Sequence, residues 1–391
     1  MRSDRRTLLA FALALLGTLG ALVAASPAAA QSLVRVPQDR DLQGAINAVN
    51  DGGAIEIAGG TYTSPANGWQ IANERKGFTV RAAAGAQVVL DGGRSHRILR
   101  YENSARSRGK LVTFERLTFR NGAANAGGSG GGVTLTQAEA LFRACVFEDN
   151  AASAASDYGA VRVSTGSDVT FAGCTFRNNL SRVRGGAVAV EHADAVFQGC
   201  TFTGNRVNAP GHDPGSAGGA VYVLDSTVRV ADSHFEGNEA GWVGGALYAI
   251  GLWTDGVSPA ADVQVSRSTF LDNRADFQPC CVSPGPTTGG AIHVEDQATL
   301  VVDGSRFVDN EAQTGGAISG YRAVVEVRSS VFQGNRALRA GELGAGGAIN
   351  MASSDAVDPS TGNGTINRRS ARLTVTGSLL QGRFGGTAAT V

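Results

Sequence analysis

The chain has 391 residues, with 34 basic and 34 acidic side chains and a formal net charge of zero at pH 7. A neutral chain is a poor electrostatic partner for nucleic acid or anionic lipid, so neither is expected as a partner. The 54 glycines are roughly twice the usual share, and the five cysteines are too few for a disulfide-stapled mini-protein.

Residues 1–30 predict a signal peptide. Arg2, Arg5 and Arg6 precede an apolar run over 8–25, and Ala28–Ala30 offers a small-x-small cleavage site. The Arg5-Arg6 pair is also compatible with a twin-arginine signal, so both export routes stay open. We expect an exported protein, extracellular, at the cell surface or periplasmic. No later apolar run reaches the ~20 residues that a membrane-spanning helix needs.

The N-terminal part of the mature chain reads "RDLQGAINAVNDGGAIEIAGGTYT" over 40–63, with "VVLDGGRSHRIL" following at 88–99. These segments resemble the opening of pectin-lyase-like β-helices, in which a short helix caps the N-terminal end of the solenoid. The resemblance implies a capping helix over residues 42–50 and makes "IEIAGGTY", residues 55–62, the first strand.

A two-part repeat follows. Phenylalanine with asparagine three positions later recurs at Phe147/Asn150, Phe176/Asn179, Phe202/Asn205, Phe235/Asn238, Phe270/Asn273, Phe307/Asn310 and Phe332/Asn335. Between the copies lie "GGAV" at 185 and 218, "GGAL" at 244, and "GGAI" at 289, 315 and 346. Alternating apolar and polar residues flank both motifs, and this alternation predicts three short strands per repeat.

Repeats that cannot bury their own apolar faces must stack, so the sequence predicts an all-β, right-handed parallel β-helix. We expect the signal peptide over 1–30 and the N-terminal cap with the first coils over 31–114. The repeat region is predicted over 115–350, and a last coil with an inserted loop and a C-terminal tail over 351–391.

The repeated polar residues have structural explanations. The seven asparagines predict a ladder, because asparagine tolerates the left-handed backbone of a corner and stacked amides can hydrogen-bond. The residues that follow the last five of these asparagines alternate in charge and predict a stacked column, comprising Arg206, Glu239, Arg274, Glu311 and Arg336.

Two positions before each phenylalanine stands a cysteine or serine that should face the core, so Cys174 and Cys200 are predicted to be free, buried thiols.

The glycine and phenylalanine motifs together resemble the passenger region of the polymorphic outer-membrane protein family over residues 115–350. That resemblance implies a surface-associated or adhesive β-helix. Members of that family end in a translocating barrel of several hundred residues. Because this chain reaches its end at "FGGTAATV", we expect it to lack the barrel.

Three enzyme templates of pectin-lyase-like proteins do not match. Where polygalacturonase-like relatives carry paired aspartates, this chain has glycine pairs such as Gly185-Gly186, which supply no general acid or base. The arginine pattern associated with pectate-lyase-like enzymes is missing from the sequence. Thr63 and Ser64 stand where pectin-esterase-like members have a glutamate.

One outward-facing column is a candidate binding stripe. Two residues after the alanine of each glycine motif stand Arg162, Ala189, Tyr222, Tyr248, His293, Ser319 and Asn350. Sugars pack on aromatic faces and hydrogen-bond to polar rims, so the predicted binding residues are Arg162, Glu191, Tyr222, Tyr248, His293 and Glu295. Asp225 and Asp296 lie beside them. The alternative is that Tyr222 and Tyr248 stack only to cover a sheet face.

Two loops carry further polar groups: His212 with Asp213, and the adjacent Cys280 and Cys281. The five histidines lack the spacing of zinc ligands, so neither a metal nor another cofactor is expected. Adjacent cysteines such as Cys280 and Cys281 can form a strained vicinal disulfide or a metal-binding thiol pair.

Two functions remain in competition. The first is an exported, non-catalytic β-helix that acts as a surface-associated, adhesive or glycan-binding module, with a polysaccharide or cell-surface glycan as its partner. The second is a polysaccharide lyase or glycoside hydrolase with acidic residues and His293 or Arg162 on the outward strand face.

Overall fold

A computed structural model describes residues 32–72, 76–103, 110–124, 130–152, 158–207, 216–251, 261–275, 286–338, 346–352, 356–357, 366–367 and 371–381. Successive short strands join four parallel sheets in a fixed order, and from Val112 to Ala352 each coil adds one strand to every sheet. The coil that ends at Val207 contains Val188–Glu191, Asp194–Gln198, Thr201–Thr203 and Arg206–Val207. The all-β, right-handed parallel β-helix is therefore confirmed, but with four strands per coil instead of the predicted three.

The strands of each sheet are as follows. Sheet 1 contains Leu33–Val36, Ala54–Ile57, Phe78–Ala82, Val112–Glu115, Glu139–Arg143, Asp168–Ala172, Asp194–Gln198, Thr227–Ala231, Asp262–Ser266, Thr299–Asp303, Val324–Arg328 and Arg372–Thr376. Sheet 2 contains Gly60–Thr63, Val88–Asp91, Leu117–Arg120, Val146–Glu148, Thr175–Arg177, Thr201–Thr203, His234–Glu236, Thr269–Leu271, Arg306–Val308, Val331–Gln333 and Leu379–Gln381. Sheet 3 contains Ala123–Ala124, Ala151–Ala152, Leu180–Ser181, Arg206–Val207, Glu239–Ala240, Arg274–Ala275, Glu311–Ala312 and Arg336–Ala337. Sheet 4 contains Trp69–Ile71, Leu99–Glu102, Val133–Thr136, Val161–Ser164, Val188–Glu191, Val221–Leu224, Leu247–Ile250, Ile292–Glu295, Ile318–Tyr321 and Ile349–Ala352. A separate antiparallel pair joins Ala356–Val357 to Ile366–Asn367.

The predicted N-terminal helix is present over Leu42–Ala48 and begins at a cap. Asp41 accepts a hydrogen bond from the backbone amide of Gly44 at 2.6 Å, which satisfies one of the free donors at the helix start. The helix ends two residues earlier than predicted because Val49 has an extended backbone.

The prediction of the first strand was wrong. A strand over Leu33–Val36 precedes the helix, and "IEIAGGTY" divides between Ala54–Ile57 in sheet 1 and Gly60–Thr63 in sheet 2.

Two columns of phenylalanine rings fill the interior. Phe176, Phe202 and Phe235 stack in sheet 2 with centroid separations of 4.6 and 4.4 Å, and Phe142 and Phe171 stack in sheet 1 at 5.1 Å. All five rings are buried. Each ring covers the next along the axis, and this stacking fixes the parallel register from coil to coil.

The two glycines of each pair meet different requirements. Gly218 has a φ of +67°, a left-handed conformation that glycine adopts without strain. A Cβ added at Gly219 would lie 2.0 Å from the carbonyl oxygen of Gly245 in the next coil. The first glycine turns the chain, and the second lets adjacent coils approach.

The asparagines of the repeat form a buried ladder. Nδ2 of Asn205 donates to Oδ1 of Asn238 at 2.9 Å and to the carbonyl oxygen of Phe176 at 3.0 Å, and equivalent bonds join the other coils. None of the seven side chains reaches the surface, since at most 1% of each residue is exposed: Asn150, Asn179, Asn205, Asn238, Asn273, Asn310 and Asn335. The ladder is therefore internal and offers no group to a ligand.

The left-handed backbone predicted for the ladder asparagines was wrong. The prediction fails at Asn150, Asn179, Asn205, Asn238, Asn273, Asn310 and Asn335, none of which has a positive φ. The preceding residue adopts that conformation instead, at Asp149, Asn178, Gly204, Gly237, Asp272, Asp309 and Gly334. The asparagine stands one residue after the corner, where its side chain turns inward. There its Oδ1 accepts a hydrogen bond from the backbone amide of the asparagine one coil earlier. Its role is to satisfy buried amides rather than to make the turn.

The cysteine and serine column lies in the core, as predicted. Cys145, Cys174 and Cys200 are free and buried, and Sγ of Cys200 donates to the carbonyl oxygen of Phe171 at 3.2 Å. Ser233 is more than a filler of similar size, because its Oγ accepts from the Cys200 amide at 3.0 Å and donates to the Ala231 carbonyl at 2.8 Å.

The alternating charges of sheet 3 also stack in register. Nε of Arg206 lies 3.4 Å from Oε2 of Glu239, and Arg336 pairs with Glu311.

Sheets 1, 2 and 4 continue without interruption from the N-terminal coils into the repeat region. Within the described ranges, no helix has the length and apolar character needed to cross a membrane.

Candidate functional site

The outer face of sheet 4 carries the column in which the sequence places most of the binding residues. Arg162, Ala189, Tyr222, Tyr248 and His293 are paired in register across five adjacent strands. Their strand neighbours, such as Val221 and Val223, belong to the main core. Because side chains alternate along a strand, the column points away from that core, as predicted.

A second apolar layer covers this column. Tyr222, Tyr248 and His293 are only 3%, 7% and 4% exposed. Tyr222 and Tyr248 form a cluster with Ala217 and Val243, each of which directly precedes a glycine pair. The left-handed first glycine turns the chain there, so the residue before it lies beside the outer face. The aromatic side chains are consequently an inner layer and not an open platform.

The aromatic rings of the column stack on one another. Tyr222 and Tyr248 have ring centroids 5.6 Å apart and an interplanar angle of 30°. Tyr248 and His293 are also 5.6 Å apart and almost parallel. The guanidinium of Arg184 lies 5.2 Å from the centre of the Tyr222 ring. The stacking that the sequence offered as an alternative is thus present.

Arg162 and Glu191 form the first polar group on this face. Nε of Arg162 donates to Oε2 of Glu191 at 3.0 Å, and the hydroxyl of Tyr158 donates to Oε1 of the same carboxylate. The guanidinium also lies 4.9 Å from the centre of the Tyr158 ring. The Arg162 side chain is 28% exposed and that of Glu191 only 7%. Burial, with the neighbouring Glu191 carboxylate, raises the pKa of Tyr158.

Tyr248, His293 and Glu295 form the second polar group. The Tyr248 hydroxyl donates to Oε2 of Glu295 at 2.9 Å, and Nε2 of His293 lies 3.5 Å from that oxygen. Oγ1 of Thr288 lies 2.9 Å from Nδ1 of His293. The Glu295 side chain keeps 25% of its surface exposed.

The pKa values of Tyr248 and Glu295 shift in opposite directions. Burial, reinforced by Glu295, raises the pKa of Tyr248 well above its ordinary value. Burial also acts to raise the pKa of Glu295, but hydrogen bonds to His293 and Tyr248 and the charge of Arg322 lower it overall. At neutral pH, Tyr248 is therefore a phenol and Glu295 a carboxylate.

The flanking acids occupy the turns that leave sheet 4. Asp225 is 4% exposed, and its Oδ2 lies 3.8 Å from Nδ1 of His192. Asp296 pairs with Arg322 at 2.6 Å. Asp225, His192, Asp296 and Arg322 all have left-handed backbones.

Sequence reasoning missed Tyr158 and Thr288, which complete the two polar groups. Thr288 directly precedes its glycine pair, whereas Tyr158 directly precedes the single glycine Gly159 and takes the place of the first glycine. Isolated parallel bridges align Tyr158, Arg184, Ala217, Val243, Thr288 and Thr314 as a column of their own. A residue directly before a glycine in each coil was the signal that could have identified them.

A third polar cluster lies at the N-terminal end of the same face and was also missed. Thr134 pairs in register with Arg100 on one side and with Arg162 on the other. Arg97 precedes the strand of Arg100 by two residues, and burial lowers the pKa of Arg97, with the Arg100 charge adding to the effect.

No metal site follows from these side chains. Within the described ranges, no three His, Cys, Asp or Glu side chains are grouped closely enough to hold an ion. His212, Asp213, Cys280 and Cys281 lie outside the described residues, as does the predicted signal peptide.

Two solved structures are similar to the chain. The chain covers 96% of an alginate lyase from Paenibacillus sp. strain FPU-7, with 89% of its own length aligned, 12% identity and a TM-score of 0.44. Bacteriophage CBA120 tailspike protein 3 gives 12% identity and a TM-score of 0.44, with 87% of this chain aligned to 51% of the tailspike. These likenesses assign no ligand or activity to the chain.

No curated protein matches the sequence. The family described as "Right handed beta helix region" matches residues 76–332, which is more than half of the chain. The chain therefore belongs to the right-handed β-helix family.

Proposed function

We propose that the chain is an exported, non-catalytic β-helix that binds a glycan on the outer face of sheet 4. The proposal rests mainly on one observation: each of two partly exposed charged side chains is held by a hydrogen bond to a buried side chain. Arg162 is held by Glu191, and Glu295 is held by Tyr248. Polar groups fixed before binding lose little side-chain entropy when a ligand arrives.

The six candidate residues divide into two layers in this proposal. Arg162 and Glu295 contact the ligand, because their side chains are 28% and 25% exposed. Tyr222, Tyr248, His293 and Glu191 are buried beneath them and act as positioning residues. Separate sugar residues of an extended glycan would hydrogen-bond to the carboxylate and to the guanidinium.

The pKa directions favour binding over catalysis. A general base or acid works best when its pKa lies near the working pH. Tyr158 and Tyr248 have raised pKa values, which leaves both phenols protonated, and the pKa of Glu295 is lowered. Neither the phenols nor this carboxylate is tuned for proton transfer near neutral pH.

The location and adhesive role rest on the N-terminal sequence and on the resemblance to polymorphic outer-membrane proteins. An exported β-helix presents long, rigid lateral faces, and such a surface suits attachment to a polysaccharide or cell-surface glycan. Arg162 and Glu295 lie several coils apart on one such face, which suits an extended ligand.

A polysaccharide lyase or glycoside hydrolase is the second candidate. The contact of Tyr248 and His293 with the same Glu295 oxygen favours it, since this set could relay a proton once a ligand displaces the hydrogen bonds. Formation of unsaturated or newly reducing products from alginate, pectin or glycosaminoglycans would establish that activity.

A glycan array probed with the purified full chain tests the proposal. We expect the chain to bind at least one glycan class, and Arg162→Gln and Glu295→Gln to weaken that binding at least fivefold. Arg229→Gln is the matched control, because Arg229 is exposed on sheet 1. Thermal melting establishes that each variant is folded. An inert array, or equal weakening by the control, would contradict the proposal.

A further inference from the structure

The N-terminal end of the outer face brings together three arginines. Arg97 interacts electrostatically with Arg100 and with Arg162. Glu102 pairs with Arg100 at 2.5 Å, and Glu191 pairs with Arg162 at 3.0 Å. Arg100 and Arg162 thus each have a carboxylate partner, and the three guanidiniums lie at one end of the outer face.

Two buried polar atoms in the same group lack partners. Thr134 is 1% exposed, and its Oγ1 makes no hydrogen bond within the described part of the chain. Nε of Arg97 is likewise buried and unpaired there. Native proteins satisfy nearly all of their buried polar atoms, so each exception calls for an explanation. Here one hydroxyl and one guanidinium N–H remain without a partner among the described residues.

The register determines how these donors are arranged. Thr134 lies between Arg100 and Arg162 on adjacent parallel strands, which are ~4.8 Å apart. The side chains of Arg100 and Arg162 are 46% and 28% exposed. Solvent therefore reaches the guanidiniums, while the threonine lies at the base between them.

We propose that Arg97, Arg100, Arg162 and Thr134 form a binding site for one oxoanion: a carboxylate, a sulfate or a phosphate. Guanidinium N–H groups match the oxygens of such groups in geometry and charge, and the Thr134 hydroxyl donates a further hydrogen bond. The inference deepens the proposed glycan-binding function, on which it rests for the source of the anion as an acidic substituent of the glycan. A free inorganic oxoanion is the other source.

Dextran sulfate and unmodified dextran have the same polysaccharide backbone and differ in their sulfate groups. A comparison of their affinities therefore measures the contribution of the anionic groups. We expect the full chain to bind dextran sulfate at least tenfold more tightly than dextran in titration calorimetry at fixed ionic strength. Inorganic sulfate should compete with dextran sulfate and raise the melting temperature.

Thr134→Val is the sharpest variant. It removes only the hydroxyl, and because that hydroxyl makes no hydrogen bond in the free protein, the variant should be at least as stable as the original chain. We expect it to bind dextran sulfate at least threefold more weakly, and Arg97→Met at least tenfold more weakly. Arg229→Gln on sheet 1 should bind unchanged.

Unchanged binding in both Thr134→Val and Arg97→Met, or equal affinity for dextran and dextran sulfate, would overturn the oxoanion site. If the chain binds neutral glycans on the array without any preference for sulfate, the proposed function is supported and the oxoanion site is contradicted. Inorganic sulfate bound through Thr134 and Arg97 with no glycan bound would support the site and contradict the glycan-binding function.

Discussion

Arg162 and Glu191 join two adjacent coils through a hydrogen bond of 3.0 Å from Nε to Oε2. Asp232 and Arg267 form a similar link between coils at 2.7 Å, but their side chains are 40% and 63% exposed. Both pairs bridge neighbouring strands or their ends, so they differ mainly in burial. A comparison of their coupling free energies therefore measures the effect of burial.

The buried pair should therefore be the more strongly coupled. A double-mutant cycle with Arg162→Gln and Glu191→Gln, followed by urea unfolding, should give a coupling free energy of about 1–2 kcal/mol. The exposed pair should give a coupling within experimental error and lose it in salt. Equal coupling in the two cycles would show that Glu191 is solvated in solution.

The asparagine ladder should dominate stability. Asn238→Ala removes the hydrogen bonds of Nδ2 to Oδ1 of Asn273 and to the Phe202 carbonyl, and it leaves the amides of Asn205 without their acceptor. We expect the free energy of unfolding to fall by about 2–4 kcal/mol, measured by urea denaturation. Gln264→Ala on the exposed face of sheet 1 is the control and should change it little. Similar losses in the two variants would refute the ladder's energetic role.

The stacked thiols should be unreactive in the folded chain. The neighbouring Cys145 thiol raises the pKa of Cys174, and the neighbouring Cys174 thiol raises that of Cys200, with burial contributing to both. The thiolate is the reactive form, so an aromatic disulfide reagent should label neither residue until urea unfolds the protein. Cys280→Ser with Cys281→Ser provides the background, and rapid labelling of that folded variant would contradict the packing.

Alkaline pH should destabilise the protein through Tyr248. Its pKa is raised well above 10 by burial and by Glu295, so below pH 10 the phenol is protonated in both the folded and the unfolded states. Above about pH 10 only the unfolded chain ionises, and stability falls as the pH rises. Tyr248→Phe should therefore lose less unfolding free energy than the original chain between about pH 9 and 11. Identical pH slopes would argue that Tyr248 ionises while folded.

The fold could be predicted because its determinants recur in successive coils of the repeat region. The Phe-x-x-Asn motif and the glycine pair mark the residues that stack, so their periodicity alone indicated a parallel solenoid. The fourth strand escaped prediction because strands such as Arg206–Val207 contain two residues, too few to show alternation. The left-handed corner was misplaced by one residue because aspartate, asparagine and glycine precede the ladder asparagines in an irregular order.

The candidate site could be predicted only in part. Alternation placed Tyr222, Tyr248 and His293 on one outer face, but it could not reveal that the chain before each glycine pair covers them. Tyr222 and Tyr248 are buried against Ala217 and Val243, which follow loops of varying length and share no residue type. Arg97 and Thr134 were missed for a related reason, because a missing hydrogen-bond partner is a property of the packed structure.

Binding without turnover is the central claim, and one incubation measures both. The glycan bound most tightly on the array is mixed with the full chain, and complex formation, unsaturated products and new reducing ends are followed in the same sample. We expect a saturable complex and an intact polysaccharide after prolonged incubation. Product that accumulates with the original chain and is lost in Glu295→Gln would contradict this expectation and establish the enzyme.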